Sequence, residues 1–375
     1  MAVKKEMIKS KINTSDKEID AKINIIKTFA EEIISEDELR ELFKTKKKII
    51  AYDGFEPSGQ IHIAQGILRA INVNKLTSVG IHFKFWVADW FAMLNNKYGG
   101  DLDKIRIVGE YFIEVWKASG MDMKDVEFVW TSDFIKKHPE YWETVLKLSM
   151  NSTLQRVLRC GQIMGREEST SNPAAYVLYP LMQAADIYHL NADIAQLGLD
   201  QRKVNMLARD IFPKIGLKPP VAIHHHMLLG LQFKETSESD PIARKIEMKM
   251  SKSKPETSIF MTDSKEDIYR KFKNAYCPEK ITKDNPVLEY AKYIIFEKFK
   301  KVVIERPDKF GGNIEVNSYD ELEKLYVKGE IHPLDLKNSI AKHIDKLLTP
   351  VREHFEKNKR ARELKEKVKS FEVSR

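Results

Sequence analysis

The clearest hydrophobic pattern of the chain lies in residues 49–71, where an apolar run gives way to a turn and then to a helical period. Gly54 and Gly59 interrupt the run, and glycines at such points end strands and form turns. From Gln60 onward the apolar residues recur with the spacing of a helix. The pattern predicts a strand, a turn and a helix, the front half of a nucleotide-binding βα unit.

Strands and helices continue to alternate along the next part of the chain. Residues 81–87 and 126–130 are rich in β-branched and aromatic side chains, and between them Asp101 and Gly120 bracket an amphipathic helix. Such alternation predicts an α/β fold built on a Rossmann-like, doubly wound parallel sheet. After Thr262 the alternation stops, and the remaining patterns are helical.

The pattern divides the chain into three segments. We expect a helical, solvated N-terminal extension at residues 1–45, because lysine and glutamate are abundant there. Residues 46–263 are expected to form the Rossmann-like domain, with a helical insertion around residues 118–175. Residues 264–375 are expected to form an α-helical C-terminal domain, in which Pro350 kinks or divides a long helix.

Composition narrows the class of protein. The 375 residues carry a formal net charge of +8 and are 42% hydrophobic, which is typical of a globular protein that binds a polyanion. Two cysteines are too few for a disulfide framework. Neither a signal-peptide core nor an apolar run of membrane-spanning length is present. We expect a soluble, cytoplasmic protein with no membrane association.

Two short patterns are candidates for phosphate binding. His62 and Gln65 are three residues apart where the first helix is expected to begin, and the free N–H groups of a helix start attract phosphate. Lys249, Ser251 and Lys252 lie in the sequence Lys-Met-Ser-Lys-Ser at residues 249–253, which could neutralise phosphate charge during a reaction. The alternatives are an ordinary βα turn with a surface histidine and an exposed basic loop.

A polar stripe is expected on one buried helix. Tyr179, Gln183 and Asp186 are spaced i, i+4, i+7 among apolar residues, so they share one face of a helix. Buried polar groups need partners, which are either a ligand or other protein groups in an internal network.

Residues 224–226 are three consecutive histidines on an expected strand. Adjacent strand residues point to opposite faces, and no cysteine or spaced carboxylate set completes a zinc pattern. We therefore expect a structural role for these histidines and no metal site.

The two phosphate-binding candidates also carry a family resemblance. His-Ile-Ala-Gln at residues 62–65 resembles the first signature of class I aminoacyl-tRNA synthetases, and residues 249–253 resemble the second in full. The stripe on the buried helix, followed by Asp-Gln-Arg-Lys at residues 200–203, is similar to the tyrosyl-tRNA synthetases of archaea and eukaryotes. The resemblance extends from about residue 45 to the C-terminus.

The resemblance implies an enzyme, a tyrosine–tRNA ligase. Such an enzyme joins L-tyrosine to ATP as tyrosyl-adenylate, with release of pyrophosphate, and then transfers the tyrosyl group to the terminal ribose of tRNA(Tyr). By resemblance, Tyr52 and Asp186 would bind the phenolic hydroxyl of tyrosine, a pairing that phenylalanine cannot make. The α-amino group would be held by Tyr179, Gln183 and Gln201.

The resemblance also assigns the ATP site and the catalytic residues. The catalytic group would comprise His62, Gln65, Lys249, Ser251 and Lys252. ATP-binding residues would be Gly54, His62, Gly198, Asp200, Lys249 and Lys252, with Asp200 facing the ribose hydroxyls. Mg²⁺ would accompany ATP, without a dedicated protein cage.

Two further features come from the same resemblance. Phe310 would stack on an anticodon base while Asp335 reads a guanine edge near His332, which is the usual way to recognise single-stranded RNA. Alternatively, Phe310 could pack under the Gly311–Gly312 turn and His332 could be a helix-entry residue. A homodimer is implied, with residues 118–170 as its surface.

The chain departs from the family pattern in three ways. Ala64 and Gln65 stand where the first signature usually ends in Gly-His, so that a neutral amide replaces a group that can be charged. Leu197 replaces a glycine before Asp200, and Phe91 stands where many relatives have a histidine. Two alternatives stay open: a tryptophanyl-tRNA synthetase and a catalytically inactive RNA-binding relative.

Overall fold

The structure is a computed structural model, and it describes residues 15–161, 173–232, 241–252 and 254–371. In chain order the strands are β1 (Ala30–Ile34), β2 (Ile49–Phe55), β3 (Ile81–Val87), β4 (Val126–Trp130), β5 (Ile194–Gly198), β6 (Val221–His225), β7 (Val302–Ile304) and β8 (Ile314–Val316). The helices are α1 (Asp16–Lys27), α2 (Glu36–Thr45), α3 (Arg69–Ser78), α4 (Asp89–Leu94), α5 (Leu102–Ala118), α6 (Thr131–Lys137), α7 (Glu140–Met150), α8 (Leu154–Cys160), α9 (Ala175–His189), α10 (Arg202–Ile211), α11 (Pro241–Met248), α12 (Lys265–Lys273), α13 (Pro286–Tyr290), α14 (Phe296–Lys298), α15 (Tyr319–Lys328), α16 (Pro333–Lys357) and α17 (Lys359–Ser370).

Six strands form the main sheet in the order β1-β6-β5-β2-β3-β4. Strand β5 pairs in parallel with both β2 and β6. The chain builds outward in one direction from β2 through β3 to β4 and in the other from β5 to β6, so the strand order reverses between β2 and β5. The expected doubly wound α/β sheet is confirmed, and ligands of such sheets bind beyond the carboxyl ends of the strands at the reversal.

The chain divides into two compact units that are each discontinuous in sequence. The first contains the residues up to Phe55 together with residues 75–86 and 124–226, and it includes the main sheet. The second contains residues 56–74, 87–123 and those from Met227 onward. These units differ from the three consecutive segments expected from the sequence, because the chain leaves the sheet and returns to it.

The N-terminal segment belongs to the sheet of the first unit. Strand β1 pairs antiparallel with β6, with Ile33 opposite Ile223. Helix α1 buries Ile19, Ile23 and Ile26, which recur at helical spacing between charged residues. The expected solvated extension is therefore wrong for residues 16–45, because most of the few apolar side chains there lie on the buried side of their helices.

The second unit is mainly helical, with a small hairpin added. In it α12 packs against α16, and α17 packs against α5. Strands β7 and β8 pair antiparallel with Val303 opposite Glu315, which the helical pattern had not indicated. Pro350 lies inside α16, which continues to Lys357, so Pro350 does not divide the helix. The division comes at Asn358, whose side chain accepts a hydrogen bond from the Ala361 N–H at 3.1 Å.

Among the helices of the described ranges, none is both long enough and apolar enough to cross a bilayer.

Candidate active site

Strand β2 places Tyr52 beside the strand-order reversal of the first unit, opposite Ala195 of β5. Its side chain is 0% exposed, and its hydroxyl has no hydrogen-bond partner among the residues that the structure describes. Burial raises the pKa of Tyr52 well above its usual value, and the nearby charge of Asp186 adds to the shift. A buried hydroxyl without a partner carries a free-energy cost that a polar ligand would remove.

Helix α9 carries the expected polar stripe. Tyr179, Gln183 and Asp186 are all buried, with Asp186 only 1% exposed, so the prediction of a buried helix is confirmed. The helix begins at Ala175, so Pro180 lies in its interior.

Helix α7 supplies a partner for this stripe that sequence reasoning missed. The hydroxyl of Tyr141 lies 2.6 Å from Asp186 Oδ1 and 2.8 Å from the Met182 carbonyl oxygen. Burial raises the pKa of the Asp186 carboxyl well above its usual value, while the hydrogen bond from Tyr141 and the nearby indole of Trp86 oppose that shift. Asp186 thus has a partner within the protein, as the alternative of an internal hydrogen-bond network held.

A signal for Tyr141 was present in the sequence. Tyr141, Val145 and Leu148 occupy the buried face of α7 at helical spacing, which marks Tyr141 as an inward-facing residue. The same pattern could not show which polar group on another helix it would meet.

The turn from β5 into α10 brings the other predicted polar residues together. Gln183 Nε2 donates to Gln201 Oε1 at 3.0 Å. A Cβ atom added at Gly198 would lie 2.5 Å from Asp200 Oδ1, so a side chain there would require the Asp200 carboxylate to move. Leu197 is 2% exposed and belongs to the core. The close contact in this turn is therefore between Gly198 and Asp200. Leu197 packs in the core and does not disturb that contact.

Gly54 lies near the end of β2, where the protein packs loosely around it. Of the residues that the structure describes, a Cβ atom built there would meet only the Trp86 side chain within 4 Å, at 4.0 Å. Packing alone does not require glycine at this position, which leaves its backbone open to approach.

His224 in the histidine triplet has a structural role. Its Nδ1 lies 2.8 Å from Glu32 Oε2, and its Nε2 lies 3.0 Å from Asn205 Nδ2. Both ring nitrogens are therefore engaged within the protein. Within the described ranges no group of three potential metal-ligating side chains comes together.

The first signature lies in the second unit, where His62 precedes the helix. The His62 residue forms a β-bridge with Phe260, and the Ile63 N–H donates to the Ile259 carbonyl at 2.8 Å. The helix starts with a π-helical turn at Ala64–Leu68 before α3. His62 therefore lies just before the first helical turn and not in it, and its carbonyl accepts hydrogen bonds from the Gln65 and Gly66 N–H groups, both at 2.9 Å.

A glycine brings the two sides of this bridge close together. A Cβ atom at Gly66 would lie 2.3 Å from Met261 Sδ, so a larger residue would push the π-helical turn away from residues 259–261. The first signature is thereby fixed against the segment that follows the second one.

His62 and Gln65 are both uncharged in this environment. Burial lowers the pKa of His62 well below its usual value, and Lys252 and Lys249 lower it further. The Gln65 carbonyl accepts a hydrogen bond from Trp116 Nε1 at 2.8 Å, whereas its Oε1 is buried and has no partner in the described part of the chain. These two residues can hydrogen-bond a phosphate but cannot neutralise it.

The second signature is held by backbone contacts on both sides. Lys249 forms a β-bridge with Leu229, and the Ser251 carbonyl accepts a hydrogen bond from Ser258 Oγ at 2.8 Å. Residue 253, the last of the signature, lies outside the described residues. This segment is thus more ordered than the exposed basic loop of the alternative interpretation.

Lys252 points inward in this segment. Its ammonium donates to the Ser58 carbonyl at 2.5 Å and lies 4.6 Å from the centroid of the Phe112 ring. Burial lowers its pKa to about 7, Glu56 opposes the shift, and Lys97 adds to it. An ammonium has three donors, so the Ser58 contact leaves capacity to bind a phosphate.

Phe310 is displayed at the tip of the β7–β8 hairpin, with its side chain 62% exposed. The alternative in which it packs under the glycine turn is therefore wrong. Arg306 holds the hairpin loop by donating to the Gly312 carbonyl at 2.8 Å and to the Glu330 carbonyl at 2.6 Å. A held loop with an exposed aromatic ring suits base stacking.

The other two anticodon candidates begin helix α16. The Nδ1 atom of the exposed His332 accepts a hydrogen bond from the Leu334 N–H at 3.1 Å, so His332 is a helix-entry residue as the alternative held. Asp335 lies in the first turn and is half-buried.

Comparison with known families gives a consistent match. The sequence model of the family described as tRNA synthetases class I (W and Y) matches residues 44–349. The Arabidopsis thaliana protein named tyrosine–tRNA ligase 1, cytoplasmic, is 48% identical over 96% of this chain and 90% of that protein. A second Arabidopsis protein, tyrosine–tRNA ligase 2, cytoplasmic, is 50% identical over 96% of this chain. The chain spans 46% of the length of that second relative.

A solved structure matches over nearly the whole fold. The tyrosyl-tRNA synthetase of Pyrococcus horikoshii complexed with L-tyrosine superposes with a TM-score of 0.86 at 38% identity. The match covers 94% of this chain and 99% of that one.

Proposed function

Because the chain belongs to the class I tRNA synthetases, in the tyrosine–tRNA ligase branch, we propose that it activates L-tyrosine with ATP and charges tRNA(Tyr). In the first step a carboxylate oxygen of tyrosine attacks the α-phosphorus of ATP, and the bond to pyrophosphate breaks. In the second step a ribose hydroxyl of the tRNA attacks the tyrosyl carbonyl carbon, and AMP leaves.

The observation that carries the choice of amino acid is the buried Tyr52 hydroxyl beside Asp186. A phenol donates one hydrogen bond and accepts others, so tyrosine can donate to Asp186 and accept from Tyr52. Phenylalanine would leave both groups unpaired in a buried pocket, which is costly. Indole has a donor but no hydroxyl acceptor, which disfavours tryptophan.

We assign the α-amino group of tyrosine to Tyr179, Gln183 and Gln201. The hydrogen bond between Gln183 and Gln201 supports this assignment, because it places an amide from each segment side by side. An ammonium group needs acceptors, and amide and phenol oxygens provide them.

We assign the phosphates of ATP to the two signatures and the ribose to Gly198 and Asp200, with Gly54 also among the ATP-binding residues. Since burial keeps His62 neutral, Lys249 and Lys252 are the groups that offset developing negative charge. His62, Gln65 and Ser251 contribute hydrogen bonds. ATP enters as its magnesium complex, in which Mg²⁺ neutralises phosphate charge as part of the substrate.

Three further assignments complete the proposal. Phe310, His332 and Asp335 contact the anticodon, supported by the exposure of Phe310. The chain forms a homodimer, supported by exposed apolar side chains on α7 and α8, among them Leu146 (62% exposed) and Met150 (83% exposed). A cytoplasmic location is proposed from the names of the Arabidopsis relatives.

Pyrophosphate exchange with tyrosine, tryptophan and phenylalanine tests the proposal. We expect exchange with tyrosine alone. Exchange that is faster with tryptophan would establish the tryptophanyl activity instead, and no exchange with any amino acid would indicate an inactive RNA-binding relative.

The anticodon assignment has its own test, which uses Asp335→Ala. We expect tRNA charging to fall while tyrosine-dependent exchange is unchanged, because only charging uses the tRNA. A variant that loses both activities would point to a folding defect and would remove the assignment.

A further inference from the structure

An acidic residue on the edge strand β1 contacts the start of α10, next to the turn that follows β5. Glu32 accepts hydrogen bonds from Arg202, with Oε2 2.8 Å from Nε and Oε1 2.9 Å from Nη2. Such a two-pronged contact fixes the guanidinium in orientation as well as position. Arg202 directly follows Gln201, so the contact holds the start of α10 at the end of that turn.

A histidine and an asparagine extend this contact. Glu32 Oε2 also lies 2.8 Å from His224 Nδ1, and His224 Nε2 lies 3.0 Å from Asn205 Nδ2. A carboxylate only accepts hydrogen bonds, so His224 donates through Nδ1 and accepts from the Asn205 amide. Asn205 follows Arg202 by three residues on α10, and the first turn of that helix is therefore tied twice to the same carboxylate.

The carboxylate is charged in this setting. Burial would raise the pKa of Glu32, but hydrogen bonds from Arg202 and His224 outweigh it and hold the pKa below its usual value. A charged acceptor makes stronger hydrogen bonds than a neutral one, which suits a group that must hold a turn in one position.

We infer that Glu32 is a positioning residue, which acts through Arg202 to hold Asp200 and Gln201 where tyrosine and the adenylate ribose bind. This role rests on the proposed function of Asp200 and Gln201. Glu32 itself makes no contact with substrate. The role also gives the N-terminal segment a part in the reaction, which its charged composition did not indicate.

The protein contains a matched control for this contact. Glu38 of α2 makes a similar two-pronged contact with Arg209, at 2.8 and 3.1 Å. Arg209 lies seven residues beyond Arg202 on α10, about 10 Å along the helix axis. Both contacts join the N-terminal segment to the same helix, but only that of Glu32 adjoins the substrate turn.

The experiment compares the full chain with Glu32→Gln and Glu38→Gln. Tyrosine-dependent pyrophosphate exchange gives kcat and the KM for tyrosine, and thermal unfolding gives Tm. We expect Glu32→Gln to raise the KM for tyrosine about tenfold, since a small displacement of binding groups has effects of this order or larger. Glu38→Gln should leave that KM within about twofold of the original, as expected for a contact remote from the site.

A purely structural role would lower Tm and kcat in both variants and leave the KM unchanged. That result, or an equal rise in KM for Glu38→Gln, would overturn the inference. If Glu32→Gln does not fold, Arg202→Lys keeps the charge but loses the two-pronged contact, and it should raise the KM in the same way. Absence of tyrosine-dependent exchange in the unaltered protein would overturn the proposed function and this role together.

Discussion

The proposed amino-acid pocket of the first unit and the proposed phosphate-binding signatures of the second unit rest on different physical properties. In the pocket, Tyr52 and Asp186 are buried on regular elements, and Tyr141 holds the carboxylate in place. In the signatures, the important groups are lysines on a short segment fixed mainly by backbone contacts. The first region offers fixed hydrogen-bonding partners that are buried, and the second offers positive charge.

The difference indicates where specificity and rate arise. Fixed, desolvated partners discriminate between ligands that differ by one hydroxyl, because the wrong ligand leaves them unpaired. Charge directed at a reacting phosphate stabilises the transition state more than the bound substrate. Changes in the pocket should therefore alter the choice of amino acid, and changes in the signatures should alter the rate.

The largest effect is expected for Lys252→Ala. Removing this ammonium should slow adenylate formation by about 10²–10³-fold while the Kd for tyrosine stays the same. Single-turnover pyrophosphate release and tyrosine binding by fluorescence provide the two measurements. Lys254→Ala is the matched control, because Lys254 is exposed and only two residues away. A normal rate in Lys252→Ala would show that this lysine takes no part in adenylate formation. It would also contradict the division in which the signatures determine the rate.

A smaller effect is expected for Tyr141→Phe in the pocket. The variant loses a hydrogen bond to a buried carboxylate, for which a loss of about ten- to a hundredfold in kcat/KM for tyrosine is expected. Discrimination against phenylalanine should fall with it. Tyr188→Phe, a surface change on α9 where the tyrosine is 44% exposed, serves as the control. Should kcat fall while the preference for tyrosine is retained, Tyr141 would act on rate, and the division of roles would be wrong.

The smallest effect concerns pH. Because the pKa of Lys252 is lowered to about 7, the side chain must take up a proton above pH 7 to form the charged ammonium. The contribution of this charge is present below pH 7 and is lost as pH rises, so the rate of adenylate formation should fall roughly fivefold between pH 7 and pH 8. Steady-state exchange at saturating tyrosine measures this slope. Lys252→Arg should flatten it, since arginine stays protonated. An equal slope in that variant would assign the proton to another group.

Local sequence rules predicted much of the fold and of the candidate site. The period-2 and period-3.6 patterns identified β2, β3, β4, α5 and α9, because apolar side chains recur in each at strand or helix spacing, although those of β4 are only half-buried. The spacing of Tyr179, Gln183 and Asp186 was sufficient to place them on one buried stripe. The patterns failed for β1, where two adjacent glutamates, Glu31 and Glu32, mask an edge strand with few apolar residues.

The sequence by itself determined which residue types are available and which of them share a helix or strand, because those relations depend on spacing along the chain. Only the tertiary structure decided which of them meet. The contacts of Tyr141 with Asp186, of Glu32 with Arg202 and of Lys252 with Ser58 each join residues that are far apart in sequence. Such contacts, and the burial that alters the pKa values of His62 and Lys252, depend on how whole elements pack, and no local pattern encodes them.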